Sequence, residues 1–322
     1  MLYLSRKDIL ELGVNWKESI AIVKEAVQLI YTNDFHQPIK PYLNFSNPKN
    51  RIIAMPARAG GNISASGIKW ISSFPDNINQ GIPRAHSVNI LNDESTGIPL
   101  SIINTSYISG IRTASVSGLM INEFLKYRDK NEVVLSIVGF GPIGQLHLQM
   151  AEELLGDRIV KVYLYDLRDI NKDFIPAKMR EKVQIVQTWE EAYLNADIFI
   201  TCTVSSKGYI NKKPKSGALL LNVSLRDFDS EILKFTNAII VDNWEEVCRA
   251  NTDIEVFYNA GYLQKKDTIS IVDVVCRNGI SELPSEEAIM FNPMGMAIFD
   301  IAISNSYYHK ALERGIGLRL ED

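Results

Sequence analysis

Hydrophobic and polar positions alternate in two different rhythms along this chain. Near the start the period is helical: Ile20, Val23, Val27 and Ile30 recur on one face, behind Asn15 as N-cap. A shorter helix precedes it, opened by Ser5, with Asp8 near its positive end. The runs "RIIAMPAR", "SGIKWISSF", "HSVNILND" and "PLSIINTSY" then follow as short β-rich segments between Gly, Pro and Asn. "NDESTG" reads as the hairpin connection between the last two. This region is predicted to be an antiparallel sheet with helices packed beside it.

From about Val133 the rhythm becomes strand, helix, strand. "VVLSIVGF" is a continuous apolar run, as a parallel strand buried on both faces requires. Pro142 then stands in the first turn of a helix, where its missing N–H costs nothing. Ile143, Leu146, Met150 and Leu154 are expected to face the sheet, and Gly156 to end the helix. "VKVYLYD", "VQIV", "DIFITCTV", "ALLLNVS" and "AIIVDN" supply further strands, and Thr188 with Glu191 forms a capping box. The chain closes on an apolar helix, "MGMAIFDIAISNSYYHKAL", and on "GLRL", read as a strand returning to the first region. The fold class is therefore α/β: a Rossmann doubly wound parallel sheet preceded by an antiparallel α+β region.

Composition narrows the function without naming it. The 322 residues are 46% hydrophobic and 22% charged, with a formal net charge of −4. That balance argues against general binding to nucleic acid or to an anionic membrane. No apolar run reaches the roughly 18 residues of a membrane span. "MLYLSRKDIL" has charges inside its apolar run and is too short for a signal peptide. Cys202, Cys248 and Cys276 are dispersed, as free thiols in a cytoplasmic protein are. His36, His86, His147 and His309 lack metal-ligand spacing, so no metal is expected, and His147 reads as a structural residue on its helix.

The most specific local chemistry is "VGFGPIGQ". Gly139 permits a tight turn, Gly141 lets backbone approach a pyrophosphate, and Gly144 lets helix and strand pack closely. The helix N-terminus around Pro142 and Ile143 offers free N–H groups to the anion. Asp166 ends the next strand, 22 residues beyond Gly144, where it would accept from ribose hydroxyls and repel a 2′-phosphate. NAD is the expected cofactor, with Arg168 keeping NADP as the alternative. Thr203, Ser205, Ser224 and Asn292 fall at the C-terminal ends of predicted strands and are expected to line the nicotinamide side.

Basic residues supply the second constellation. Lys69 sits between "SGI" and "WIS", apolar company that an exposed lysine rarely keeps. Arg112 precedes a predicted helix N-terminus at Thr113, a natural anion site, so both are candidates for a cofactor phosphate and Arg112 also for substrate.

"MPAR", "GIKW", "LND..TG.PL", "IRTASVSGL", "VGFGPIGQ" and "NPMGMAIFD" occur in an order that resembles the ornithine cyclodeaminase and mu-crystallin family over nearly the whole chain. The resemblance implies that the Rossmann domain (residues 116–293) is inserted into an α+β domain (1–115 with 294–322) that binds a small amino-acid substrate and forms a homodimer. "QPIKPYL", "RIIAMP", "SGIKWI", "ITCTV" and "NPMGMAI" resemble the branch that oxidises N-(1-amino-1-carboxyl-2-ethyl)-glutamic acid with NAD, yielding 2,3-diaminopropionate for siderophores. It implies a dehydrogenase acting on a secondary amine, with an anionic substrate held by Lys40, Arg51, Lys69, Arg84, Arg112 and Met294. Leu225 falls where the cyclodeaminases carry their acid–base aspartate, with Asp227 and Asp229 nearby. Lys40 falls at a carboxylate-binding arginine of several relatives, and Arg84 at a small hydroxyl residue. Lys69 and Arg112 are the candidate catalytic residues; whether Lys69 is the base or a carboxylate clamp stays open at this level.

Overall fold

A computed structural model describes residues 1–128 and 130–321. The chain begins with β1 (Leu2–Ser5), α1 (Arg6–Leu12), α2 (Trp16–Tyr31), β2 (Phe35–His36), β3 (Tyr42–Asn44), β4 (Arg51–Ala59), β5 (Ala65–Ser73), β6 (Ala85–Asn92), β7 (Pro99–Asn104) and α3 (Tyr107–Tyr127). It continues through β8 (Val133–Val138), α4 (Pro142–Leu155), β9 (Ile159–Tyr165), β10 (Val183–Ile185), α5 (Trp189–Tyr193), β11 (Ile198–Thr201), β12 (Leu219–Asn222) and β13 (Ala238–Val241). Then come α6 (Trp244–Val247), α7 (Asp253–Asn259), β14 (Thr268–Ser270), α8 (Ile271–Arg277), β15 (Ile289–Asn292), α9 (Ala297–Arg314) and β16 (Leu318–Arg319). Two compact units result, Met1–Arg112 with Gly295–Asp322, and Thr113–Met294.

In the first unit the strand order is β16-β1-β7-β6-β5-β4-β2, with β3 also on β4. β4 to β7 pair antiparallel as their alternation predicts. The expectation of a wholly antiparallel sheet is corrected at one edge. β1 runs parallel to β7, because α1 to α2 and the intervening strands carry the chain round before β7 forms. "GLRL" does return as β16, antiparallel on β1. α1 begins with the Ser5–Asp8 capping box and α2 with Asn15. The first half of α9, residues 297–305, is buried, and the helix packs on β4, β5, β6, α1 and α2. Pleating puts Met55, Lys69, Asn89 and Leu91 on the buried sheet face. The other face carries Pro56, Ile68, Ile90 and Ile102 in one register row, all half-buried, with Trp70 beside them 41% exposed.

The second unit is a parallel sheet in the order β10-β9-β8-β11-β12-β15-β13-β14. The chain builds outward from β8 through β9 and β10, then returns to the other side of β8 with β11 and β12. That reversal makes the C-terminal end of β8 a switch point, where open α/β sheets bind ligands. The buried helical face of α4 is Gly144, Leu146, His147, Leu148, Met150, Ala151 and Leu155. Ile143 and Leu154, expected inward, are only half-buried, since His147 takes an inward place once its ring is hydrogen-bonded. β14 has no counterpart in the sequence reading, being three residues too short and polar to show a period.

Candidate active site

The turn after β8 is built from glycine geometry. Gly139 has φ +89°, and a Cβ there would lie 2.5 Å from the Cys202 carbonyl oxygen on the neighbouring β11 edge. A Cβ on Gly144 would lie 2.2 Å from the Gly139 carbonyl oxygen, so helix and turn touch through bare backbone. Gly141 is different: a Cβ there meets nothing within 4 Å, so open space lies beside it. It is the N-cap of α4 and makes no side-chain cap bond, which leaves first-turn amides for an anion. Asp166 is held at the turn by two backbone donors, Phe140 N–H to Oδ2 at 2.8 Å and Arg168 N–H to Oδ1 at 2.9 Å. These features fit a dinucleotide with its pyrophosphate on the α4 amides and its ribose hydroxyls on Asp166. His147 is fully buried, its Nδ1 on the Ile143 carbonyl at 2.8 Å and its Nε2 on Ser117 Oγ at 2.9 Å. Burial pushes its pKa down to about 4, as for a neutral structural ring.

The polar strand ends do something the sequence did not announce. Thr203 Oγ1 donates to Asp227 Oδ1 at 2.5 Å, and Ser224 hydrogen-bonds the other oxygen of the same carboxylate. Asp253 Oδ2 accepts from Asn222 Nδ2 and from the backbone N–H groups of Asp227 and Phe228, at 2.9, 3.1 and 3.0 Å. Burial raises the pKa of Asp227, and raises that of Asp253 to about 7. Asn292 is fully buried, with Nδ2 on the Ile240 and Met290 carbonyls and Oδ1 accepting from Asn222. It has no surface to line the nicotinamide side as expected, because its amide closes the strand ends from within. Ser205 Oγ donates to the Lys207 carbonyl at 2.7 Å. Leu225, with φ +63°, buries its side chain in the core of this unit. Asp229 caps the turn Ser230–Lys234. Met294 is half-buried against the same core, its N–H on Asp242 Oδ1 at 3.1 Å.

In the first unit, residues far apart in sequence converge around one carboxylate. Asp300, in the first turn of α9, presents Oδ1 to Lys69 Nζ on β5 and to Arg112 Nε on α3, each at 2.9 Å. Lys69 Nζ also donates to Ser109 Oγ at 3.1 Å and is 1% exposed. Lys40, also buried, donates to the Gly295 carbonyl at 2.8 Å. Burial drives the Lys69 pKa down to about 7; Asp300 opposes the fall, and Arg112 and Lys40 reinforce it. The charges of Arg112 and Lys69 keep the Asp300 carboxyl below its usual range although burial pushes the other way. Two cations on one acid leave excess positive charge, an arrangement suited to an anionic ligand. Arg112 commits Nε to Asp300, and neither Nη makes a hydrogen bond among the described residues, so its fork is open.

Arg51 and Arg84 form a second basic pair in the same unit. Arg51 opens β4 opposite Ser73, and the next N–H, of Phe74, bonds the Arg84 carbonyl at 2.9 Å. Arg51 lies 5.9 Å from the Tyr42 ring centroid. Burial and then the Arg51 charge lower the pKa of Arg84. Neither arginine makes an ion pair among the described residues. Thr113 is a correction: α3 starts at Tyr107, so the Thr113 amide belongs to the helical ladder and is not a free N-terminal donor. Gly110 is carried inside a helix packed enough to tolerate it. Sequence reasoning missed Asp300, Ser109 and Gly295. For Asp300 the signal was present, an acid within the apolar run "AIFDIAIS", which the interior rarely accepts without a partner.

The model of the ornithine cyclodeaminase/mu-crystallin family matches residues 3–315. The chain is 34% identical to the N-((2S)-2-amino-2-carboxyethyl)-L-glutamate dehydrogenase of Staphylococcus aureus, covering 99% of this chain and 98% of that one. Among solved structures it superposes on the Thermococcus litoralis Delta(1)-pyrroline-2-carboxylate reductase with NADH and L-proline, at a TM-score of 0.88 and 26% identity, covering 99% and 100% of the two chains. An archaeal alanine dehydrogenase dimer with bound NAD gives a TM-score of 0.83 at 26% identity, covering 100% and 99%. The chain is an NAD-dependent oxidoreductase and belongs to the ornithine cyclodeaminase/mu-crystallin family.

Proposed function

We propose that this protein is an NAD-dependent dehydrogenase that cleaves N-(2-amino-2-carboxyethyl)glutamate, a secondary amine with three carboxylates, into 2,3-diaminopropionate and 2-oxoglutarate. The observation that carries the reading is the number of cations in one unit without an acid of their own. Arg51 and Arg84 make no ion pair among the described residues, and Lys69 and Arg112 share Asp300. A substrate with a single carboxylate would leave that charge uncompensated. The 34% identity to a dehydrogenase of this substrate points the same way.

NAD, when bound, supplies the hydride acceptor for the glutamyl α-carbon, so that amine, NAD and water become primary amine, 2-oxo acid, NADH and a proton. The amine nitrogen must first lose its proton, because a protonated nitrogen has no lone pair to release the hydride. Lys69, half neutral near pH 7, takes that proton. Asp300 and Ser109 fix its ammonium position. The open fork of Arg112 takes one carboxylate through two parallel bonds, and Arg51 with Arg84 take another. Water then adds to the resulting imine, and the proton on Lys69 returns to the departing amine nitrogen.

The test is NADH formation with this substrate set against L-proline and L-alanine. Turnover of the three-carboxylate amine with release of 2-oxoglutarate is expected; preference for proline or alanine would refute the assignment. We also infer a homodimer through the outer face of the first sheet, where Pro56, Ile68, Ile90, Ile102 and Trp70 form an apolar row. Light scattering at micromolar concentration should give twice the chain mass, and Ile68→Lys should give the single mass. A monomer from the unaltered chain would end that inference.

A further inference from the structure

We propose that Gly295 is a positioning residue of the active site: its bare α-carbon seats the Arg112 guanidinium against Asp300, and its carbonyl seats Lys40. The proposal rests on Lys69 being the base of the reaction above. Gly295 precedes α9 by two residues, and Asp300 lies in the first turn of that helix. One short segment therefore offers the cluster three things: a carbonyl, a bare α-carbon and a carboxylate.

The geometry at the α-carbon is close. A Cβ on Gly295 would lie 2.3 Å from Arg112 Nη1 and 3.0 Å from both Cζ and Nη2, so the guanidinium lies across the place a side chain would fill. The backbone has φ +83°, which side chains with a Cβ rarely adopt. The Gly295 carbonyl accepts from Lys40 Nζ at 2.8 Å, and Arg112 Nε donates to Asp300 Oδ1 at 2.9 Å. The end of an arginine side chain can swing, so a methyl group at 295 displaces Arg112 without stopping the fold. In moving, the arginine leaves Asp300 and takes its charge away from Lys69.

That displacement has a consequence which a merely structural glycine would not have. The groups facing Lys69 are Asp300 on α9, Arg112 and Ser109 on α3, and Lys40 from the segment between β2 and β3. Arg112 is one of the two cations that hold Lys69 deprotonated near neutrality. When it recedes, Lys69 keeps its proton to higher pH, and the acid limb of kcat/KM moves up the pH scale.

The experiment compares Gly295→Ala in the natural background and in an Arg112→Lys background, which lacks the fork that the methyl would strike. In the natural background kcat/KM should fall by roughly a hundredfold, with the acid limb shifted upward and NAD affinity by calorimetry unchanged. In the Arg112→Lys background the same substitution should cost less than about threefold. A crystal structure of Gly295→Ala, which needs no substrate, should show Arg112 withdrawn from Asp300. Equal losses in both backgrounds, an unmoved pH limb, or Arg112 still on Asp300 would overturn the proposal. So would failure to fold in both backgrounds, since the glycine would then serve the backbone alone. If the unaltered enzyme oxidises none of the tested amines, the substrate reading fails, while the crystal structure still decides the role of Gly295.

Discussion

An anion approaching the turn after β8 meets main chain: the amides at the start of α4, open space beside Gly141, and a carboxylate held by two N–H groups. An anion approaching the cluster around Asp300 meets side chains drawn from positions 40, 69 and 112, held by a helix that begins at 297. The backbone site is local, and its partial charges do not titrate. The side-chain site exists only once the chain has folded, and it places a lysine where protonation is balanced near pH 7. The first suits a constant ligand such as a cofactor. The second suits a substrate whose own proton must be moved.

The sharpest way to break this contrast is to remove the titrating group. Lys69→Met should lower kcat/KM by about a thousandfold, in the range of a lost general base, while NAD affinity stays within twofold or so. In the unaltered enzyme kcat/KM should rise through pH 7 as Lys69 becomes neutral. A profile flat from pH 6 to 9, or a Lys69→Met variant within tenfold of the parent, would assign the base elsewhere.

The cofactor side should respond more mildly. Asp166 is anchored by backbone, and Asp166→Ser removes one charge without disturbing the glycines. The preference for NAD over NADP should narrow by roughly tenfold in titration calorimetry, with turnover of bound NAD little changed. Tighter binding of NADP by the unaltered protein would contradict the role given to Asp166.

A separate effect concerns acid stability and should locate in the cofactor unit. The folded-state pKa of His147 lies near 4, below its unfolded value of 6.5. Between those values the unfolded chain binds a proton that the native ring refuses, so stability falls as pH drops from about 6.5 to 4. The change from this group is on the order of 3 kcal/mol. His147→Gln should flatten that part of the denaturation profile. An equal pH slope in parent and variant would remove His147 from the account.

The two regions also differ in how far they can be read from residues in order. "VGFGPIGQ" and Asp166 lie within one strand-helix-strand unit, so spacing and strand pattern predict the turn, the helix start and the acid together. Lys69 was visible as a charge in apolar company and Arg112 as a charge before an expected helix start, but the acid that joins them lies 231 and 188 residues away. No local period encodes that contact. Thr113 was misplaced because packing carries α3 back to Tyr107, beyond the helix start expected there. Asn292 was read as a ligand because polar residues at strand ends are ambiguous, and the folded chain turns it toward Asn222, which the sequence could not pair.

Arg84 gives the most direct test of the central claim, that the cations of the first unit select a substrate richer in carboxylates than a simple amino acid. The measurement is the ratio of kcat/KM for N-(2-amino-2-carboxyethyl)glutamate to that for L-proline, before and after Arg84→Ala. The account predicts a fall in the first of roughly a hundredfold, or about 2–3 kcal/mol, with NAD affinity unchanged and little change for proline. A loss below about threefold, or an equal loss of NAD affinity, would contradict it.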